Sequence, residues 1–135
     1  MEWINIGKID VVNHHGFVYK ITNIKTGKIY VGRKILKNTT KTKIGVREKA
    51  ATKTRKTYKQ VVKESNWRTY CGSNKDLIND IKANPQDFQK EILETAETKK
   101  YLGYLELKYQ FQFDVLKCDS YNGNMNGSYY RKDME

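Results

Sequence analysis

Apolar and polar residues alternate through Phe17-Val18-Tyr19-Lys20-Ile21-Thr22, pause at Asn23-Ile24-Lys25-Thr26-Gly27, and resume through Lys28-Ile29-Tyr30-Val31. A period of two on both sides of a polar, Gly-ended turn predicts a β-hairpin over residues 16–32. Ahead of it, Trp3, Ile4 and Ile6 predict an extra strand in a short leader, residues 1–15. Behind it, residues 33–66 are rich in Lys and Thr, with Gly45 as a turn. That composition fits loop or ribbon better than a packed helix, with residues 58–63 as a short element. Ser73-Asn74-Lys75-Asp76 predicts a helix start, with the Ser oxygen as cap and an acid three residues on. Leu77, Ile78 and Ile81 give that helix an apolar side, and Asn84-Pro85 ends it. Phe88 to Leu93 reads as a strand, residues 97–116 as a longer helix, and Tyr121 to Tyr130 as a Gly- and Asn-rich closing segment. The order β-β-α-β-α predicts an α+β fold: a small antiparallel sheet, made of the hairpin and a third strand, flanked by helices and carrying a long insert.

Size is consistent with this. The 135 residues suit a single domain, 1–135, and a 38% hydrophobic fraction with sixteen aromatic residues supplies one modest core. No apolar run is long enough to span a bilayer, and the first residues lack the pattern of a signal peptide. Cys71 and Cys118 form no metal-ligand spacing, which predicts free thiols in a reduced, cytoplasmic protein. His14-His15 has no partner ligands at useful spacing and reads as a loop pair.

Charge adds a partner. From Arg33 to Arg68 there are thirteen Lys/Arg against two Glu, a net of +11 that equals the formal charge of the whole chain. The excess therefore lies in one stretch, the basic insert at 33–66. Clustered Lys/Arg bind polyanions by displacing counterions, so a nucleic acid is the expected partner. The expected DNA contacts are Lys37, Lys41, Lys43, Arg47, Lys53, Arg55, Lys56, Lys59, Lys63 and Arg68. A solvated loop is the plain alternative, and the two agree if residues 37–63 are loosely ordered alone and clamp the duplex when bound. No amphipathic helix accompanies the charge, so a membrane surface is not expected.

Two features point to chemistry. The hairpin offers the phenols of Tyr19 and Tyr30, one per strand, to neighbouring positions. The plain alternative is a hairpin with ordinary aromatic strand residues. On the last helix Leu102, Leu105, Tyr109, Phe113 and Leu116 share a side at spacings of three, four and seven. Glu106 projects from that same side, and an inward carboxylate is costly without a cation, a metal or hydrogen bonds. If Leu107 and Phe111 make the helix apolar nearly all round, Glu106 merely snorkels or pairs with Lys.

Gly16-Phe17-Val18-Tyr19 and Tyr30-Val31-Gly32 resemble the defining motif of GIY-YIG nucleases, with the first glycine displaced by one residue. Gly32-Arg33-Lys34, Lys63-Glu64-Ser65-Asn66-Trp67-Arg68-Thr69-Tyr70-Cys71-Gly72-Ser73, Glu106-Leu107-Lys108-Tyr109-Gln110-Phe111 and Tyr121-Asn122-Gly123 are similar to the blocks of phage SegE-like members. They occur in order across residues 16–130. The resemblance implies a metal-dependent endonuclease of double-stranded DNA, acting in the cytoplasm of a bacterial host if phage-encoded. It implies Glu106 as ligand of one Mg²⁺, with Mn²⁺ as a substitute, and Tyr19 as general base. Tyr30 would contact the attacking water or the phosphate, Tyr70 would donate to the phosphate, and Asn122 would brace the site. A phenol titrates near 10, so Tyr19 needs cationic help at neutral pH, with Lys34 or Arg33 as the source. The catalytic arginine is open among Arg33, Arg55 and Arg68, with Arg33 preferred. Oligomeric state is open between a monomer and a homodimer on DNA. A non-catalytic nucleic-acid-binding module on the same fold is the alternative, and RNA ranks below DNA because no paired RNP-type aromatic motif is present.

Overall fold

The computed structural model describes residues 1–53 and 55–135. The strands are β1 (Trp3–Ile4), β2 (Gly16–Asn23), β3 (Ile29–Ile35), β4 (Lys37–Lys43), β5 (Tyr58–Glu64), β6 (Phe88–Ala96), β7 (Asn124–Met125) and β8 (Tyr129–Tyr130). The helices are α1 (Val46–Thr52), α2 (Lys75–Ala83) and α3 (Lys99–Gln112). The main sheet runs β1-β6-β2-β3. The hairpin and third strand pair antiparallel as the alternation predicts, and the leader adds a short parallel edge strand, Trp3 opposite Lys90.

Strand β2 is central, and its buried residues Phe17, Val18, Tyr19 and Ile21 meet an apolar core on each face. Phe17, Tyr19 and Ile21 point to a core with Trp3, Leu36, Trp67, Leu77 and Ile92. Val18 points the other way, to a core with Val31, Leu102, Leu105, Val115 and Leu116. Between Val18 and Tyr19 the register against β6 slips: Val18 faces Glu94 and Tyr19 faces Ile92. This bulge leaves Leu93 unopposed, and bulges of this kind re-aim neighbouring side chains.

Two local expectations need correction. Ser73 does not cap α2; the Asn74 side chain accepts from Leu77 N at 3.0 Å, and Ser73 stays outside the helix. The long helix occupies residues 99–112 instead of 97–116. Thr98 caps its start by accepting from Tyr101 N. Its end comes where Asp114 takes a left-handed conformation, φ 52°. That turn sends Val115 and Leu116 back into the core as loop residues. Tyr109 keeps the side expected of it, packed against the core of Leu102, Leu105 and Leu116, and its hydroxyl donates to Glu94 on β6 at 2.7 Å.

Of the loop and ribbon alternatives for the insert, the described residues form the ribbon. Strands β4 and β5 pair from Lys37–Glu64 to Lys43–Tyr58, with α1 at the tip. Within these strands only Lys37 and Val61 are even partly buried. The base is anchored by buried Leu36 and by Trp67, whose carbonyl accepts from Trp3 Nε1 at 2.7 Å and whose Nε1 donates to Glu64 at 2.8 Å.

Trp67 thus joins leader, ribbon and core. Trp67→Ala should lower unfolding stability by about 3–5 kcal/mol. A urea titration checks this; a loss below about 1 kcal/mol would contradict a core role.

Candidate active site

The outer edge of β3 is where the functional side chains meet. Residues 119–121 run beside that edge: Ile29 N donates to Asp119 O, and Tyr121 N donates to Ile29 O at 2.8 Å. At Val31 a side chain replaces the backbone. Asn122 Oδ1 accepts from Val31 N at 3.0 Å, and Asn122 Nδ2 donates to Val31 O at 2.8 Å. Gln110 Nε2 donates to the same carbonyl at 3.2 Å. Beyond Val31 the edge opens into a polar cleft of about 610 Å³ lined by Tyr19, Tyr30, Arg33, Ser73, Glu106, Gln110 and Asn122, among others.

Two glycines let the two faces of the sheet converge there. Gly32 is the cross-strand partner of Tyr19. A Cβ at Gly32 would stand 2.6 Å from the Tyr19 hydroxyl, so the bare backbone is what lets that phenol cross to the cleft. From the opposite face, Arg33 lies over α3 at Gly103, where a Cβ would stand 3.0 Å from its Nη1. Arg33 Nε is 3.7 Å from Glu106 Oε1, an ion-pair distance.

Burial sets the electrostatics. The Tyr19 hydroxyl is pushed well above its ordinary value by burial, then by the phenols of Tyr30 and Tyr70 and the charge of Glu106. Tyr30 is raised by burial too, partly offset by its 3.2 Å hydrogen bond with Ser73 Oγ. Glu106 is raised by burial against the pull of the Arg33 charge and its backbone N–H.

The expected cationic help for Tyr19 is not found. Lys34 stands over the Tyr70 ring, 4.2 Å from its centroid, and partial burial lowers its own pKa. Arg33 is committed to Glu106. Tyr70 is edge-on to Tyr19 with ring centroids 6.0 Å apart, a wall behind it and not part of the cleft lining. Of the three candidate arginines, Arg33 is in the cleft. Arg68 stacks on Trp67 and pairs with Glu64, and Arg55 is exposed in the insert. Among the other basic residues, Lys37 is tied to Val12 O and Lys59 to Glu48, while Lys41, Lys43, Arg47, Lys53, Lys56 and Lys63 are exposed. A larger hollow of about 830 Å³ lies between α1 and the ribbon, but its carboxylate, Glu48, already holds Lys59. Its phenol, Tyr58, is exposed on the ribbon, whereas Tyr19 and Tyr30 of the smaller cleft are buried or half-buried.

Sequence reasoning missed Gly103, Gln110 and Arg131. The Arg131 guanidinium bonds Cys118 O, Val115 O, Ser120 and Asn122 O, and so holds the loop that carries Asn122. Only Gln110 had a usable signal, as a polar residue one helical turn after Glu106.

A family model described as "Putative endonuclease segE, GIY-YIG domain" matches residues 3–134. The chain belongs to this GIY-YIG family. No curated protein and no solved structure matches it. Family membership points to nuclease activity, with a nucleic acid as the class of substrate. Among the described residues no three His, Cys, Asp or Glu side chains cluster as a metal site, and no helix is long and apolar enough to cross a membrane. Cys71 and Cys118 are unpaired thiols. A single hard cation still fits this GIY-YIG cleft. The half-buried Glu106 carboxylate and the Gln110 carbonyl oxygen, which is buried without a partner, are oxygen donors on two residues that line the cleft.

Glu106 also leaves a thermodynamic signature. Its folded pKa lies above its unfolded value, so the stability gained by protonation is full below the unfolded pKa and lost as pH rises through the folded one. At neutral pH the ionised carboxylate is therefore a cost. Glu106→Gln should melt higher than the parent at neutral pH, with the gap closing as pH falls below the ordinary carboxyl range. Calorimetry across pH checks this; a gap independent of pH would refute it.

Proposed function

We propose that this GIY-YIG domain is a metal-dependent endonuclease of double-stranded DNA. The observation that carries the reading is the meeting of Tyr19, Tyr30, Arg33 and Glu106 in one cleft on the strand from which the basic ribbon departs. Only Leu36 separates β3 from β4. DNA held by the ribbon is thereby held near the cleft.

In this reading Glu106 holds the cation, Mg²⁺ or Mn²⁺. When bound, it stabilises charge on the scissile phosphate and leaving oxygen. Arg33 neutralises the same phosphate from the side of α3. Tyr30, oriented by Ser73, hydrogen-bonds the attacking water or a phosphate oxygen. Tyr19 accepts the water's proton as that oxygen attacks phosphorus. The free protein keeps Tyr19 protonated, so the base forms only in the assembled complex. Tyr70 backs Tyr19 from outside the cleft, with Lys34 stacked on its ring. Asn122 positions the β3 edge and does not touch the reacting atoms.

Supercoiled plasmid should be nicked or linearised with Mg²⁺ or Mn²⁺ and untouched in EDTA. Glu106→Ala and Arg33→Ala should each slow cleavage by about a hundredfold or more. Tyr19→Phe should be equally impaired, and the parent rate should climb with pH into the alkaline range. A Glu106→Ala protein that cuts like the parent would exclude this site. Salt-sensitive binding with no cutting by any metal would favour the non-catalytic module instead.

The ribbon is tested by excision. Lys37 and Glu64 are cross-strand partners, so a two-residue Asn-Gly turn can join them and replace residues 38–63. That removes nine Lys/Arg and one Glu. DNA affinity should fall, and its dependence on salt should flatten. Unchanged affinity would rule out a clamp.

A further inference from the structure

The cleft contains a buried amide that the fold uses only in half. Gln110 is 5% exposed, and its Nε2 donates to Val31 O. A carbonyl only accepts, so the NH₂ end must face Val31, and Oε1 is the end left over. Among the described residues Gln110 Oε1 is the one buried side-chain nitrogen or oxygen without a hydrogen-bond partner. Leaving such an acceptor unmatched is costly. The strand does not require it either, because Val31 O already receives Asn122 Nδ2 at 2.8 Å. A methionine or leucine at 110 would fill similar space without an orphaned oxygen.

The placement of that oxygen gives it a use. Gln110 follows Glu106 by four residues on α3, so the two side chains share a helix face, and both line the cleft. Among the described residues, the cation paired with Glu106 is Arg33, at 3.7 Å. An uncharged oxygen acceptor beside a half-buried carboxylate repels a further anion and attracts a hard cation. Such oxygen donors suit a divalent cation that keeps most of its waters.

We propose that Gln110 Oε1 is a second protein ligand, with Glu106, for the divalent cation. The inference rests on the assignment of the cation to Glu106. It gives Gln110 two jobs, a donor that steadies β3 and an acceptor that binds metal, and it explains an unpaired oxygen in an otherwise satisfied interior.

Mn²⁺ titration of the DNA-free protein, followed by the electron paramagnetic resonance of free Mn²⁺, tests this without any cleavage. Glu106→Gln should weaken Mn²⁺ binding by at least about tenfold, and Gln110→Met by about tenfold. Gln110→Glu adds a charged oxygen and should tighten binding. Loss in Glu106→Gln with parent affinity in Gln110→Met would overturn the role of Gln110 and leave the Glu106 assignment standing. Parent affinity in Glu106→Gln, or no binding by the parent, would overturn the Glu106 assignment and this proposal with it. If Gln110→Met does not fold, Gln110→Glu decides: failure to bind Mn²⁺ more tightly than the parent overturns the proposal.

Discussion

The candidate site depends on how one sheet edge is closed. An open strand edge leaves backbone N–H and C=O groups unsatisfied and invites wrong partners. Here residues 119–121 cover β3 as far as Ile29, and the Asn122 amide completes the ladder at Val31 with one donor and one acceptor. The cover then stops, and what would have been an exposed edge becomes a cleft lined by Tyr30 and Arg33 of β3. Losing Asn122 would leave the buried Val31 N–H unmatched and its carbonyl with the Gln110 amide alone. Arg131, fixing the loop behind Asn122, belongs to the same device although it stands outside the cleft.

From that closure follows an electrostatic tension. Two phenols and a carboxylate share a partly buried space with one arginine, and burial raises all three titrating groups. The fold therefore holds its reactive groups in their neutral forms or at a cost. Sites that bind charge often show this, because the missing positive charge arrives with the ligand. The unpaired Gln110 oxygen fits the same pattern. Lys34 does not relieve the tension, since it lies over Tyr70, and burial keeps the Tyr19 phenol protonated in the free protein.

The ribbon follows a different rule from the rest of the chain. It buries almost nothing and is held by its own backbone ladder and by Trp67 and Leu36 at its base. Such an element gains little from packing, which leaves its sequence free to be basic. Its link to the chemistry is covalent and short, one residue from β3.

Much of this was legible in the sequence because it depends on local periodicity. Alternation around Asn23–Gly27 predicted the hairpin, the charge count located the ribbon, and Tyr19, Tyr30, Arg33, Glu106 and Asn122 were singled out beforehand and meet in one cleft. The misses came where neighbours compete for one group. Asn74 took the cap that Ser73 was expected to hold, and Asp114 turned a helix that periodicity alone would have carried to Leu116. The bulge at Leu93, the crossing of the Tyr19 phenol over Gly32 and the bedding of Arg33 on Gly103 have no signature in local pattern. They are contacts between residues far apart in the chain. The sequence by itself determined which elements form and where the charge lies, because those follow from residue type and spacing. Tertiary structure decided which phenol, carboxylate and arginine share a space and which cation fails to reach Tyr19, because that depends on which backbone surfaces are bare enough to be approached.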